Sequence, residues 1–190
     1  CGPWICSSQN RGGFDNVEVY AHPGHFEYLD RSRTEEVRRR MTDMGINPLS
    51  FHATFPGTVD PGSDDRIVRE DSYTGICRAV ETALSLESEF FVMHPGKEDN
   101  REEHGYFDMM KRTAEVLSRV MQSFKDTGIR ILVENMLPHL RFGTPEDMLW
   151  LLAALRAYSP GLCFDTGHAV FSDHPAELLF LYAPHTVLIH

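Results

Sequence analysis

The chain repeats one pattern, in which a short apolar run is followed by a polar loop and by a segment with apolar residues at helical spacing. The apolar runs that we expect to form strands cover residues 16–21, 49–55, 89–96, 129–135, 161–165 and 186–190. The helices are expected after Ser32, which forms a capping box with Glu35, over 72–88 and 106–124, after Thr144, and over 175–182. Strands that alternate with helices indicate βαβ units and a parallel sheet.

Two architectures are built from this unit. An open doubly wound sheet usually carries a glycine-rich phosphate loop, and neither GxGxxG nor GxxxxGK[ST] occurs in this sequence. A (β/α)8 barrel instead places functional side chains at the C-terminal ends of several strands, as this sequence does. A complete barrel has about 250 residues, whereas this chain has 190 and about six βα units. We therefore expect a single domain over 1–190 that is an incomplete (β/α)8 TIM barrel, truncated at its N- and C-terminal ends.

A polar residue lies at or near the end of each predicted strand. These residues are Glu18, His52, His94, Glu134, Asp165 and His190. Any one of them alone is more often a satisfied loop group, but the ends of parallel barrel strands converge on one mouth, so the set favours a shared site. A carboxylate at the end of an apolar strand is costly unless a cation or hydrogen bonds compensate it. The oxygen and nitrogen donors suit a divalent metal such as Mn²⁺, Co²⁺, Mg²⁺ or Zn²⁺.

The order of four motifs, MHPG, VENM, FGTPEDM and GLCFDTGHA, followed by a strand that ends in histidine, resembles the xylose isomerase-like TIM barrel superfamily. This superfamily contains sugar-phosphate isomerases and epimerases and the endonuclease IV type of DNA-repair enzyme. The resemblance runs from residue 16 to the C-terminus and therefore covers most of the chain.

The resemblance also implies roles for the polar residues. Glu134, Asp165 and His190 correspond to metal ligands, and Glu134 and His168 to catalytic residues. His52, His94, His168 and Glu18 correspond to substrate-binding positions, although His52 and His94 also match positions of a second metal. The fourth metal ligand of the epimerases is a glutamate on the last strand. Because this chain has no such strand, we expect an incomplete set of ligands.

The function implied by the resemblance is a metal-dependent sugar or sugar-phosphate isomerase or epimerase, which transfers a proton through a metal-stabilised enediolate. Two alternatives stay open: an endonuclease IV-like zinc phosphodiesterase acting on abasic DNA, and a non-catalytic barrel fragment. The formal net charge of −10 argues against nucleic acid as a partner. The expected partner is therefore a small sugar or sugar phosphate.

Other features of the sequence bear on where the protein acts. The four cysteines, Cys1, Cys6, Cys77 and Cys163, are scattered and include no CxxC pair, which favours reduced thiols and a cytoplasmic location. No apolar run reaches the length of a membrane span, and no N-terminal signal pattern is present. The exposed strand edges of an incomplete barrel favour a homo-oligomer.

Overall fold

The computed structural model of the protein describes residues 13–22, 24, 26–55, 59–101 and 104–190. Cys1 and Cys6 lie outside these residues. Six strands form one parallel sheet in which spatial order follows chain order. They are β1 (Asn16–Ala21), β2 (Asn47–Ala53), β3 (Phe90–Met93), β4 (Arg130–Glu134), β5 (Gly161–Phe164) and β6 (Thr186–Ile189). The sheet and the helices that follow its strands form a half-barrel, which confirms the predicted incomplete barrel.

Within the described residues, six α-helices lie between consecutive strands. They are α1 (Arg31–Asp43), α2 (Arg66–Ser85), α3 (Tyr106–Phe124), α4 (Pro145–Ala154), α5 (Thr166–Ala169) and α6 (Pro175–Tyr182), with a 3-10 turn at Arg156–Tyr158. The bounds predicted for α3 and α6 are confirmed. The side chain of Thr144 caps α4 by accepting a hydrogen bond from the Asp147 N–H, at 3.3 Å.

Two predicted helix starts are wrong. The cap of α1 is Asp30 rather than Ser32, because one Asp30 carboxylate oxygen accepts the N–H groups of both Ser32 and Arg33. The second helix begins at Arg66, six residues before the predicted start, because the Asp65 side chain caps it through the Ile67 N–H. In both cases an aspartate provides the first hydrogen bond of the helix.

Hydrophobic side chains cover both faces of the sheet. The larger cluster lies between the strands and the helices and includes Phe51, Phe91 and Leu151. A smaller cluster of Val92, Leu132 and Cys163 lies on the opposite, concave face. Because alternate strand residues point to the same face, Glu134 follows Leu132 on the concave side. The polar strand ends therefore lie above an apolar floor.

Membrane insertion through a helix finds no support in the described part of the chain, since none of its helices is both long and apolar enough to cross a bilayer.

Candidate metal centre

Glu134 is the centre of the polar cluster at the mouth of the half-barrel. Its side chain is 1% exposed, and nitrogen atoms of four histidines lie within 3.6 Å of its carboxylate oxygens. His52 Nε2 and His190 Nδ1 approach Oε2, at 3.3 and 3.6 Å. His168 Nδ1 and His94 Nε2 approach Oε1, at 3.3 and 3.6 Å. Each oxygen of one carboxylate therefore faces two imidazoles.

Glu18 connects the two outer strands of the sheet. Its Oε2 accepts hydrogen bonds from Ser50 Oγ at 2.8 Å and from His190 Nε2 at 2.9 Å, and its Oε1 lies 3.5 Å from His52 Nδ1. The prediction that Glu18 ends its strand is wrong, because β1 continues to Ala21. The register of β1 and β2 shifts between Val17 and Glu18, and a bulge of this kind re-aims the side chains around it.

Asp165 and His168 lie directly after β5. Asp165 Oδ1 accepts the His168 N–H at 2.6 Å and so caps the one-turn helix α5. The predicted Thr-Gly turn is therefore the first turn of a helix. His168 Nδ1 lies 2.8 Å from the carbonyl oxygen of Asn135, which can only accept, so Nδ1 carries the hydrogen.

Asn135 belongs to the site although the sequence pattern did not single it out. Its Oδ1 accepts the Asp165 N–H at 2.7 Å, and its Nδ2 donates to the Asp165 carbonyl oxygen at 3.0 Å. This pair of hydrogen bonds fixes the end of β5 against the end of β4. The available signal was its place immediately after Glu134 at the end of an apolar strand.

His94 follows β3 and contacts a second residue that was missed from the sequence. Its Nδ1 lies 2.7 Å from Glu98 Oε1, while its Nε2 faces Glu134. The signal was an acidic residue four positions after the histidine, in the loop between β3 and α3.

The carboxylates and imidazoles shift each other's pKa values strongly. Burial opposes the ionisation of Glu134, but the adjacent imidazoles of His190 and His94 hold its pKa well below its ordinary range. Burial also opposes the ionisation of Glu18, and hydrogen bonds from His190, His52 and Ser50 nevertheless lower its pKa to about 2. Without a metal, both carboxylates are therefore ionised at neutral pH.

Two of the histidines show the opposite shift. Burial disfavours the charged form of His94, but Glu134 and Glu98 raise its pKa to about 9. The neighbouring side chains of Cys163, Glu134 and Glu18, in that order, raise the pKa of His190 to about 12. In the metal-free protein the protonated imidazoles therefore neutralise the carboxylates.

The donor atoms fit a divalent cation. Glu134 Oε2 and His52 Nε2 are buried and form no hydrogen bond, and such atoms are costly unless an ion or water compensates them. Among the residues that the structure describes, four groups of three side chains offer ligand atoms within 4.8 Å of one another. They are Glu18, His52 and His190; His52, His94 and Glu134; Glu134, Cys163 and His190; and Glu134, Asp165 and His168. Glu134 belongs to three of these groups and is thus the donor that they share.

All seven residues predicted for the site lie in this one cluster. The seven are Glu18, His52, His94, Glu134, Asp165, His168 and His190. The individual roles assigned to them stay predictions.

Comparison with known proteins identifies the family. The family model described as xylose isomerase-like TIM barrel matches residues 10–190. An uncharacterised protein of Methanocaldococcus jannaschii is 33% identical over 134 residues, which are 69% of this chain and 45% of that protein. A probable endonuclease 4 of Persephonella marina is 23% identical over 163 residues, 82% of this chain and 55% of the relative. The chain thus spans about half the length of these curated relatives.

Solved structures agree with this assignment. A D-tagatose 3-epimerase-like protein is 26% identical with a TM-score of 0.81, over 93% of this chain and 67% of that one. A Thermus thermophilus protein, from a crystal soaked with zinc chloride, is 28% identical with a TM-score of 0.68, over 86% and 64% of the two chains. A D-psicose 3-epimerase studied with D-fructose shares the fold, at 18% identity and a TM-score of 0.78, over 94% of this chain and 63% of the epimerase. The protein therefore belongs to the xylose isomerase-like TIM barrel family.

Proposed function

We propose that this protein is a metal-dependent isomerase or epimerase of a sugar or sugar phosphate, which moves a proton at the carbon next to a carbonyl group. The observation that carries the proposal is the buried Glu134 carboxylate, with four imidazole nitrogens within 3.6 Å, at the mouth of a barrel. Sugar epimerases among the solved structures share the barrel fold, which supports the choice of substrate class.

Glu134, Asp165 and His190 would hold the metal in this proposal. Of the groups of three side chains that offer ligand atoms, one contains Glu134 and Asp165 and another contains Glu134 and His190. The Oε2 atom of Glu134, which has no hydrogen-bond partner among the described residues, is a natural ligand atom. When bound, a divalent ion supplies a Lewis acid that polarises a carbonyl oxygen and makes the neighbouring C–H more acidic.

The side chains themselves would bind the sugar and move the proton. Glu134 is ionised because its pKa lies well below the ordinary range, and the proposal assigns this carboxylate the role of general base. Since the Asn135 carbonyl oxygen fixes the hydrogen of His168 on Nδ1, the Nε2 atom of His168 is left to contact a substrate oxygen. His52, His94 and Glu18 line the same mouth and complete the set of polar contacts.

A small cavity beside His94 is suited to a ligand of this kind. Its volume is about 210 Å³, and its lining includes Thr54, Phe55, His94, Lys97 and Glu98. Pockets for drug-sized ligands measure about 300–1,000 Å³. A cavity below that range, bordered by both apolar and charged side chains, suits a single sugar unit.

One observation favours a second candidate, a zinc phosphodiesterase. His52 and His94 form a further donor group with Glu134, so that this carboxylate could serve two ions, and two-metal sites are typical of enzymes that cleave phosphate esters. A relative at 23% identity is described as a probable endonuclease 4. The net charge of −10 opposes the binding of a polyanion, and this ranks the phosphodiesterase second.

The test combines metal analysis with two activity assays. Purified protein is loaded with Mn²⁺, Co²⁺, Mg²⁺ or Zn²⁺ and incubated in D₂O with a panel of ketoses, aldoses and their phosphates. We expect deuterium to enter at the carbon next to the carbonyl, and Glu134→Gln to abolish this exchange. Nicking of an abasic-site oligonucleotide by a protein that binds several zinc ions, without sugar exchange, would refute the proposal in favour of the phosphodiesterase. Absence of both activities and of bound metal would favour a non-catalytic barrel.

A further inference from the structure

The loop between β3 and α3 places a carboxylate against the outer nitrogen of His94. Glu98 Oε1 lies 2.7 Å from His94 Nδ1, while His94 Nε2 faces Glu134 Oε1 at 3.6 Å. Because an ionised carboxylate only accepts hydrogen bonds, this contact places a hydrogen on Nδ1. The lone pair of the neutral imidazole is then on Nε2, which faces the centre of the cluster.

The loop that carries Glu98 is fastened to its neighbours by charged groups. Arg141 Nε lies 2.6 Å from Asp99 Oδ1, and Arg141 Nη1 lies 3.2 Å from Asp60 Oδ1. One arginine, whose side chain is 17% exposed, thereby connects the loops that follow β2, β3 and β4.

Backbone hydrogen bonds reinforce the same connection. The Arg141 N–H donates to the Asp99 carbonyl oxygen at 3.1 Å, and Asn100 and Leu140 form an antiparallel bridge. Glu98 is thus adjacent to a segment held on both its backbone and its side chains. Its position beside His94 follows from the packing of the loops.

We propose that Glu98 is a positioning residue, which holds the His94 ring with Nε2 toward Glu134 and thereby strengthens the binding of a divalent metal. The inference rests on the proposed metal site around Glu134 and adds His94 to its ligands, through the donor group of His52, His94 and Glu134. The proposed function gives Glu98 no part in metal binding. Carboxylates that accept the outer N–H of a histidine ligand fix its tautomer and orientation.

The expected size of the effect follows from exposure. Loss of such a partner typically weakens metal binding by about 10–100-fold. The Glu98 side chain is 62% exposed, whereas that of His94 is 20% exposed, so solvent screens the contact on one side. We therefore expect the lower end of the range, about tenfold.

The first part of the experiment measures zinc affinity by competition with a chelator. The variants are Glu98→Ala, Glu98→Gln, His94→Ala and the Glu98→Ala/His94→Ala pair. The matched control is Glu70→Ala, which removes another exposed carboxylate, one that is paired with Arg119. Glu98→Ala should weaken zinc binding about tenfold, and Glu98→Gln should recover most of this loss because its amide oxygen still accepts from Nδ1. In the His94→Ala background, Glu98→Ala should have no further effect.

The second part reads the tautomer of His94 directly, by nitrogen-15 NMR of the metal-free protein in alkaline buffer where the ring is neutral. We expect the Nδ1–H tautomer in the unaltered protein and in Glu98→Gln, and a mixture in Glu98→Ala. An unchanged tautomer in Glu98→Ala, or a loss of zinc affinity that persists without His94 or that Glu70→Ala reproduces, overturns the inference.

The two proposals fail in different ways. If Glu98 controls the tautomer and zinc affinity but no sugar exchanges deuterium, the proposed function fails and the positioning role stands. If sugars exchange deuterium while Glu98→Ala leaves the tautomer and zinc affinity unchanged, only the positioning role fails. Comparison of the thermal unfolding of Glu98→Ala and Glu98→Gln separates a folding defect from the loss of the contact.

Discussion

Replacement of Glu134 by glutamine should destabilise the metal-free protein in a manner that depends on pH. Glutamine keeps the shape of the side chain but removes the negative charge that faces His52, His94, His168 and His190. The cost should be largest where His94 and His190 are protonated, because their positive charges would then face a neutral amide.

The size of this pH-dependent destabilisation can be calculated from the pKa shift of His94. Burial lowers its pKa, but Glu134 and Glu98 together raise it from 6.5 to about 9. At about 1.4 kcal/mol for each pH unit, this rise corresponds to about 3 kcal/mol. Glu98 is largely exposed and screened by solvent, so we assign about 2 kcal/mol to Glu134.

The direction of the pH dependence follows from the raised pKa of His94. A histidine whose pKa is raised by folding stabilises the native state fully below its unfolded pKa of 6.5, and that stabilisation disappears as the pH rises through 9. The free-energy difference between the unaltered protein and Glu134→Gln should therefore be about 2 kcal/mol larger near pH 6 than near pH 10.

The assay is urea unfolding of chelator-treated protein at these two pH values. Glu70→Gln is the control, because Glu70 is an exposed carboxylate whose partner, Arg119, does not titrate in this range. A difference for Glu134→Gln that is the same at both pH values, or one that the control reproduces, would refute the electrostatic reasoning.

Three further predictions follow from other contacts. Glu18→Ala should destabilise the metal-free protein at pH 7 by about 1 kcal/mol after allowance for solvent screening. Because folding lowers the Glu18 pKa from 4.5 to about 2, this loss of unfolding free energy should shrink as the pH falls from 4.5 toward 2, as measured by urea unfolding. Tyr106→Phe should lower the unfolding free energy by about 1–3 kcal/mol, as measured by thermal denaturation, since the Tyr106 hydroxyl donates to Asp147 and accepts the Phe142 N–H, both at 2.9 Å. Zinc at about 100 times its dissociation constant should stabilise the protein by about 2.7 kcal/mol in a thermal-shift assay, and Asp165→Asn should remove most of this gain while its amide oxygen still caps α5.

Local signals were sufficient for much of the fold. The bounds of α3 could be predicted because its apolar residues keep helical spacing and Gly128, at a φ of +85°, follows its end. The start of α1 could not be predicted in the same way, because Asp30 and Ser32 are both good capping residues two positions apart. Only the folded backbone shows that Asp30 accepts the hydrogen bonds.

Some residues of the candidate site could be predicted from local sequence and others could not. Glu134 and Asp165 could be predicted because a carboxylate at the end of an apolar strand is unusual. Glu98 and Asn135 could not, because their partners depend on how the loops pack. The contact between Glu18 and His190 joins residues 172 positions apart, and no local pattern indicates which strands meet across a curved sheet.

The hydrogen bond that caps α5 also affects the entropy that the Asp165 side chain loses when it binds an ion. Asp165 Oδ1 already accepts the His168 N–H, and the backbone of Asp165 is held at both its N–H and its carbonyl oxygen by Asn135. A free aspartate loses rotational entropy when it coordinates an ion, whereas this one has lost most of that freedom during folding. The second carboxylate oxygen is therefore preorganised, and ion binding at this residue should carry a small entropic penalty.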